Sequence, residues 1–235
     1  MPAPAKIPES EVTVRVLRDA EADGYRGSFL AMHGQYKEAQ ALVDEGERLD
    51  PKVARVQQAQ AVVNYFQDRQ TQALEALNAA VALDSSDALT RYLRAELSYR
   101  SAGQPLARES KVQIEEDLRQ AIAISPEFAA AYGLLSVCLM TDEGGLAESF
   151  NLAKKAESLE PGNGRYQFVM AQVLARMRRY DDAETIALRV LANASEQQEQ
   201  DEVNRFLEFV RKARSAPAPN NRQQLSNPVA SAGPN

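Results

Sequence analysis

Residues 20–53 read AEADGYRGSFLAMHGQYKEAQALVDEGERLDPKV, and their pattern of small residues decides the fold. Positions 8, 20 and 27 of this stretch are small, position 17 is aromatic and position 32 is proline: Gly27, Ala39, Gly46, Tyr36 and Pro51. The small residue at position 8 returns four times, at steps of 34, 34, 41 and 35, as Ala61, Ala95, Ser136 and Ala171. A recurrence of about 34 residues indicates an array of short, similar structural units.

This pattern resembles the consensus of the tetratricopeptide repeat (TPR) family. The resemblance implies an all-α fold, a right-handed α-solenoid of about five TPR helix hairpins followed by a C-terminal capping helix. We expect the TPR array to span residues 10–214, with repeats at about 20–53, 54–87, 88–128, 129–163 and 164–197, and the capping helix at 198–214. In each hairpin, helix A and helix B cross closely, which is why glycine, alanine or serine recurs there.

The third repeat is longer than the others. Ala95 lies seven residues farther from Ile114 than Ala61 lies from Ala73, so the extra length falls between helix A and the middle of helix B. Because seven residues are almost two helical turns, the buried face stays in phase. We expect Pro105 to begin a long helix B that runs to Ile124 and projects beyond its neighbours.

The two ends of the chain differ from the repeats. An apolar stripe at Val203, Phe206, Leu207 and Val210 predicts the capping helix that an open-ended stack needs. A helix is also expected over residues 10–20, covering the edge of the first repeat. Residues 1–9 and 215–235 have no periodic apolar face, so we expect both segments to be disordered.

Composition excludes several classes of function. The formal net charge is -6 and the pI is about 5.1, which argues against sequence-independent binding to nucleic acid. The first nine residues lack the apolar core of a signal peptide, and nothing indicates direct insertion into a membrane. As written, the chain is expected to be cytoplasmic. A periplasmic or secreted location is the alternative if the chain is a fragment of a longer exported protein.

Catalytic chemistry has little support in the residues. The only histidine, His33, lies at the end of the first helix A, and the only cysteine, Cys138, lies among apolar residues of the fourth. Neither has the partners of a nucleophile, and glycine pairs such as Gly144 and Gly145 lack the preceding strand of a phosphate-binding loop. We therefore expect no enzyme activity, no metal and no cofactor.

The TPR resemblance implies that helix A of each repeat lines a concave groove that binds a peptide or helix of another protein. Aromatic and arginine side chains concentrate at the positions that face this groove in the family. The predicted groove residues are Arg55, Gln58, Tyr65, Tyr92, Glu96, Tyr99, Arg100, Arg165, Phe168, Gln172 and Arg176. The arginines favour a partner with an acidic or C-terminal segment. The alternative is that most of these side chains only pack inside the array.

One specific function found in the TPR family, binding to the tails of chaperones, can be checked against the residues at its known positions. Chaperone-binding TPR domains hold a terminal carboxylate with lysine, asparagine and arginine at set positions. Here those positions are Gly24, Ser28, Ala59, Leu89 and Leu93, so the clamp is missing and binding to heat-shock chaperone tails is not expected.

Two alternatives to a scaffold stay open. One is the TPR portion of a larger, exported bacterial protein with an enzymatic domain upstream. The other is an adaptor that self-assembles through the capping helix or the third helix B, so the oligomeric state is undecided.

Overall fold

A computed structural model describes residues 19–83, 86–103 and 106–215. Within these ranges the chain forms eleven α-helices and one short 3₁₀ turn, without any β-strand. The predicted all-α array of helix hairpins is therefore confirmed. Most of the helix expected over residues 10–20, the segment 1–9 and the tail after residue 215 lie outside the described residues. The chain divides into two compact units, residues 1–131 and 132–235.

Three helix hairpins make up the first unit. Short loops connect the two helices of the first and second hairpins, and a longer one connects those of the third. The helices are α1 (Asp19–Met32), α2 (Tyr36–Leu49), α3 (Ala54–Phe66), α4 (Gln70–Ala82), α5 (Ala88–Ser101) and α6 (Arg108–Ile124). α1 begins one residue before the interval expected for the first repeat, at Asp19 instead of residue 20.

The second unit contains the last two hairpins and the terminal helix. The helices are α7 (Ala129–Leu139, which begins three residues before the unit does), α8 (Leu146–Leu159), α9 (Gly164–Arg176), α10 (Tyr180–Asn193) and α11 (Gln197–Ser215). The 3₁₀ turn Glu143–Gly145 leads into α8. α11 is the expected capping helix, and each of its ends lies one residue outside the predicted interval of 198–214.

The repeated small residues lie where the two helices of a hairpin cross. Ala61, Ala95 and Ala171 are completely buried, as the pattern predicts. In the fourth hairpin the equivalent pair is Ser136 and Ser149, and each hydroxyl donates to the backbone carbonyl of the other residue at 2.8 Å. Both serines are fully buried, so these reciprocal hydrogen bonds satisfy polar groups that would otherwise destabilise the crossing.

The extra residues of the third repeat divide between a loop and a helix. α6 has 17 residues, whereas the helix B of every other hairpin has 13 or 14. α6 begins at Arg108 after an extended Ala107, so the prediction that it starts at Pro105 was wrong. Pro105 itself lies outside the described residues. Several inserted residues therefore lengthen the loop, and the helix extends by only about one turn.

Three turns between helix A and helix B contain a residue with positive φ. Gly34 has φ 76°, Asp68 has 57° and Arg178 has 61°. Glycine adopts this left-handed region freely, aspartate tolerates it, and a long side chain such as arginine pays a steric cost. The turn geometry is therefore common to these hairpins although only one of them has glycine.

Arg178→Gly is expected to raise the free energy of unfolding by about 1 kcal/mol, because it removes the contact between Cβ and the backbone in the left-handed region. Asp68→Gly, the matched substitution in the second hairpin, should gain less because aspartate tolerates this conformation better. Urea unfolding followed by circular dichroism measures both. A loss of stability in Arg178→Gly would show that the cost lies elsewhere.

Candidate functional site

Two of the predicted groove residues in the second repeat bind the start of the next repeat. The Arg55 guanidinium donates from Nη1 to Asp87 Oδ1 at 3.1 Å and to Gln58 Oε1, while Gln58 Nε2 donates to Asp87 Oδ2 at 2.5 Å. Asp87 is also the N-cap of α5, since its carboxylate accepts from the backbone N–H of Thr90. Arg55 further lies 4.1 Å from the centre of the Tyr25 ring. These side chains hold three successive A helices together, and Gln58 is almost fully buried.

The aromatic residues of α3 and α5 make similar contacts. The Tyr65 hydroxyl donates to Glu96 Oε2 at 2.9 Å, and the Tyr92 ring lies 5.0 Å from that of Phe128. Tyr99 is half-buried on α5, whereas Arg100 is exposed. Burial raises the pKa of Tyr65, and the hydrogen bond and negative charge of Glu96 raise it further, against a smaller opposing effect of Arg100.

Because the pKa of Tyr65 is raised in the folded state, the free energy of unfolding is expected to vary with pH in the alkaline range. Above the ordinary tyrosine pKa of about 10 the unfolded chain releases the Tyr65 proton first, so the folded state loses stability as pH rises through its own higher pKa. Tyr65→Phe should therefore reduce the fall in unfolding free energy between pH 9 and 11.5. Tyr166, whose pKa burial also raises, keeps part of the dependence in the variant. Urea titrations across this range measure the difference, and identical slopes would contradict the assignment.

The four predicted groove residues of the fifth repeat lie along one face of α9. Arg165, Phe168, Gln172 and Arg176 are spaced by three, four and four residues, which places them in a row on a helix. In contrast to the residues of the second repeat, Arg165 and Arg176 are exposed, and Phe168 and Gln172 are half-buried. This row of side chains lines two cavities between α9 and α11.

The first of these, which we call the cap cavity, has a volume of about 290 Å³. It lies where α9, α10 and the beginning of α11 meet. Its lining combines an apolar floor with charged walls and consists of Arg165, Phe168, Val169, Gln172, Val190, Glu199, Glu202 and Val203. This volume is close to the lower end of the range for ligand pockets.

The second, which we call the Phe cavity, has a volume of about 220 Å³ and lies farther along α9. Its lining is mainly apolar and consists of Met140, Gln172, Ala175, Arg176, Phe206 and Phe209. Gln172 borders both cavities, so they adjoin along the helix. The exposed guanidinium of Arg176 donates from Nη2 to the backbone carbonyl of Thr141 at 3.2 Å.

α11 forms the wall of both cavities that faces α9. Apolar contacts and ion pairs hold it against the preceding hairpin. Val203, Leu207 and Val210 are buried against the preceding hairpin. Near its end, Arg211 donates to Glu184 at 2.6 Å and Arg214 donates to the same carboxylate at 2.7 Å. The hydrogen bond from Arg211, together with the charges of both arginines, lowers the pKa of Glu184 against the opposing effect of desolvation.

α11, expected as a capping helix or a self-assembly surface, also contributes side chains to both cavities. Glu199, Glu202, Phe206 and Phe209 line the cavities from α11, yet none was among the predicted groove residues. One signal was available: Phe209 lies three residues after Phe206 on the charged side of the apolar stripe, where a purely solvating face needs no aromatic ring.

The histidine and the cysteine that were considered for catalysis lie in different surroundings. His33 is exposed, with Nδ1 2.7 Å from the backbone carbonyl oxygen of Phe29 and its ring centre 4.2 Å from that of Phe29. Cys138 is fully buried in α7. In the described part of the chain, no three histidine, cysteine, aspartate or glutamate side chains converge on a common metal position.

None of the helices that the structure describes combines the length and apolar character that crossing a membrane needs.

Comparison with known proteins identifies the fold and goes no further. No family model matches the sequence, and no curated protein matches it. Solved structures do match. YrrB, described as a TPR protein with an unusual peptide-binding site, is 14% identical, with 80% of this chain and 92% of that chain covered at a TM-score of 0.62.

Two further solved structures are similar to this chain. A tetratricopeptide repeat protein from Parabacteroides merdae is 13% identical, with 83% of this chain and 74% of that chain covered at a TM-score of 0.61. A thermophilic TPR protein from Thermus thermophilus is 18% identical, with 82% of this chain and 99% of that chain covered at a TM-score of 0.53.

Proposed function

We propose that this chain, which has the tetratricopeptide-repeat fold, is a non-catalytic scaffold that binds a peptide or helix of a partner protein between α9 and α11. The observation that carries this proposal is the pair of adjoining cavities along α9, into which all four predicted groove residues of the fifth repeat face. The peptide-binding site named for YrrB supports the same general use of the fold.

The groove residues of the fifth repeat are better suited to binding a ligand than those of the second repeat. Arg55 and Gln58 are already paired with Asp87, so a ligand that recruited them would have to break hydrogen bonds within the protein. Arg165 and Gln172 have no such partner among the described residues. Binding at α9 therefore costs less reorganisation of the free protein.

A peptide library displayed on phage tests the proposal with two matched variants. Phe209 and Phe29 are phenylalanines of nearly equal exposure, 58% and 57%, but only Phe209 borders the Phe cavity. Phe209→Ala should weaken binding of selected peptides by about tenfold, as expected for loss of a central aromatic contact. Phe29→Ala should leave binding unchanged. Equal binding by both variants, measured by fluorescence anisotropy, would refute a groove at α9 and α11.

The same two variants test a second candidate function, self-assembly, which we propose at α1 in place of the capping helix or third helix B expected from the sequence. Phe29 lines a shallow cavity of about 380 Å³ on α1 together with Tyr25, Arg26 and Leu30. A contiguous patch of exposed apolar side chains is typical of an interaction surface. If self-assembly operates there, Phe29→Ala should abolish a concentration-dependent mass in light scattering, whereas Phe209→Ala should not.

A further inference from the structure

A polar side chain lies where the two cavities adjoin, within reach of the backbone of a bound peptide. Gln172 borders both cavities and is half-buried, and its side-chain amide has no hydrogen-bond partner among the residues that the structure describes. A glutamine amide has both donors and an acceptor, so it can pair with the N–H and C=O of an extended peptide. This position favours a ligand that continues from one cavity into the other.

The charges around the cap cavity are mainly negative. Glu199 and Glu202 border it on α11, and neither forms an ion pair within the described ranges. The Glu199 carboxylate lies against Gly164 in the first turn of α9, where the helix dipole favours a negative charge. Glu202 is exposed and has no comparable interaction. Arg165 is the only cation among the described residues that line the cavity, so the two glutamates leave one negative charge in excess.

The cap cavity also presents an aromatic ring beside these carboxylates. Phe168 is half-buried, and its ring centre lies 5.3 Å from that of Phe206 in an edge-on arrangement. A guanidinium or ammonium group that entered here would find a ring on one side and a carboxylate on the other. Both contacts favour a cation.

The Phe cavity selects a different kind of side chain. Phe206 and Phe209 border it on α11, and Met140 and Ala175 contribute further apolar surface. Since Phe209 is largely exposed in the free protein, an apolar side chain that covers it gains binding energy from the area removed from water.

We propose that the groove between α9 and α11 binds an extended segment of another protein that places an arginine or lysine in the cap cavity and an apolar side chain in the Phe cavity. Phe168 and Ala175 are seven residues apart, which is roughly 10 Å along a helix and equals about three residues of extended chain. The basic and apolar residues of the partner therefore lie about three positions apart. This inference rests on the proposed function and names the chemistry of the partner.

The proposed partner segment is basic, whereas the arginines in the sequence led us to expect an acidic segment. Arg55, which contributed to that expectation, is paired with Asp87. The overall charge of -6 also attracts a basic segment and repels an acidic one during association. An acidic partner is therefore the competing outcome of the test.

Fluorescein-labelled eight-residue peptides measure the preference directly. One series has a single arginine three positions before a leucine; the others replace that arginine by glutamine or glutamate. At low salt the full chain should bind the arginine peptide about tenfold more tightly than the glutamine peptide, and the glutamate peptide least. Glu202→Lys should remove this preference. Glu208→Lys, the same charge change at an exposed position of α11 outside both cavities, should preserve it.

Each outcome bears on a different claim. If the glutamine or glutamate peptide binds as tightly as the arginine peptide, and Phe209→Ala still weakens that binding, the basic partner is refuted while the groove itself stands. If Phe209→Ala binds every peptide as tightly as the unaltered chain does, both the basic partner and the proposed function fail. Loss of the preference in Glu208→Lys as well would assign it to overall charge and overturn the role of the cap cavity.

Discussion

Asp117→Ala is expected to lower the free energy of unfolding by about 3–5 kcal/mol, the range for breaking a buried ion pair from one side. Asp117 is 1% exposed on α6. Its carboxylate accepts from Arg94 Nε at 2.7 Å and Nη2 at 2.5 Å, and from Arg91 Nη1 at 3.2 Å. Both arginines lie on α5 and are themselves mostly buried. Removing the carboxylate leaves two guanidinium groups against an apolar interface without their shared partner.

The control lies one residue away on the same helix. Glu116 is exposed, so Glu116→Ala should change stability by no more than about 0.5 kcal/mol. Asp117→Asn keeps the shape and one acceptor oxygen but removes the charge, and should fall between the two. Urea unfolding at pH 7 compares the three variants. A loss below about 1 kcal/mol in Asp117→Ala would mean that Arg91 and Arg94 regain full hydration by moving outward.

The helix hairpins could be predicted from the sequence because one physical requirement recurs in every repeat. Two helices that cross closely need a small side chain at the crossing, and that requirement leaves a trace every 34 residues or so. Ala61, Ala95 and Ala171 are buried in the structure as that trace predicts. The beginning of α6 was missed because a proline before a helix is only a local signal.

The candidate site was harder to predict because it depends on contacts between distant residues. Arg55 and Arg165 occupy the same position of their repeats, so the repeat pattern assigns both the same expected role. Arg55 meets Asp87, 32 residues later, and is occupied by that contact. Arg165 instead lines the cap cavity beside α11. No period in the sequence shows which partner each arginine finds, so equivalent positions of two repeats have different surroundings.

Ala61→Leu is expected to cost about 1–3 kcal/mol, because extra methylene groups at a close crossing force the helices apart. The geometry of two other hairpins supports this. A Cβ added to Gly27 would lie 3.4 Å from the backbone oxygen of Ala39, and the hydroxyl oxygens of Ser136 and Ser149 are 3.0 Å apart. The first pair occupies positions 8 and 20 of its repeat, and the second pair is equivalent once the one extra residue before Ser149 is allowed for; the second repeat has Ala61 and Ala73 there. Both alanines are completely buried, which leaves no space for a leucine.

An exposed alanine in the same hairpin provides the matched control. Ala82 is the last residue of α4 and faces solvent, so Ala82→Leu should change stability by less than about 0.5 kcal/mol. Thermal and urea unfolding of the two leucine variants separate overpacking at the crossing from any general effect of the larger side chain. An unchanged melting temperature in Ala61→Leu would contradict the placement of position 8 at the helix crossing. Because the same position recurs as Ala95 and Ala171, that result would count against the packing of every hairpin and not of the second alone.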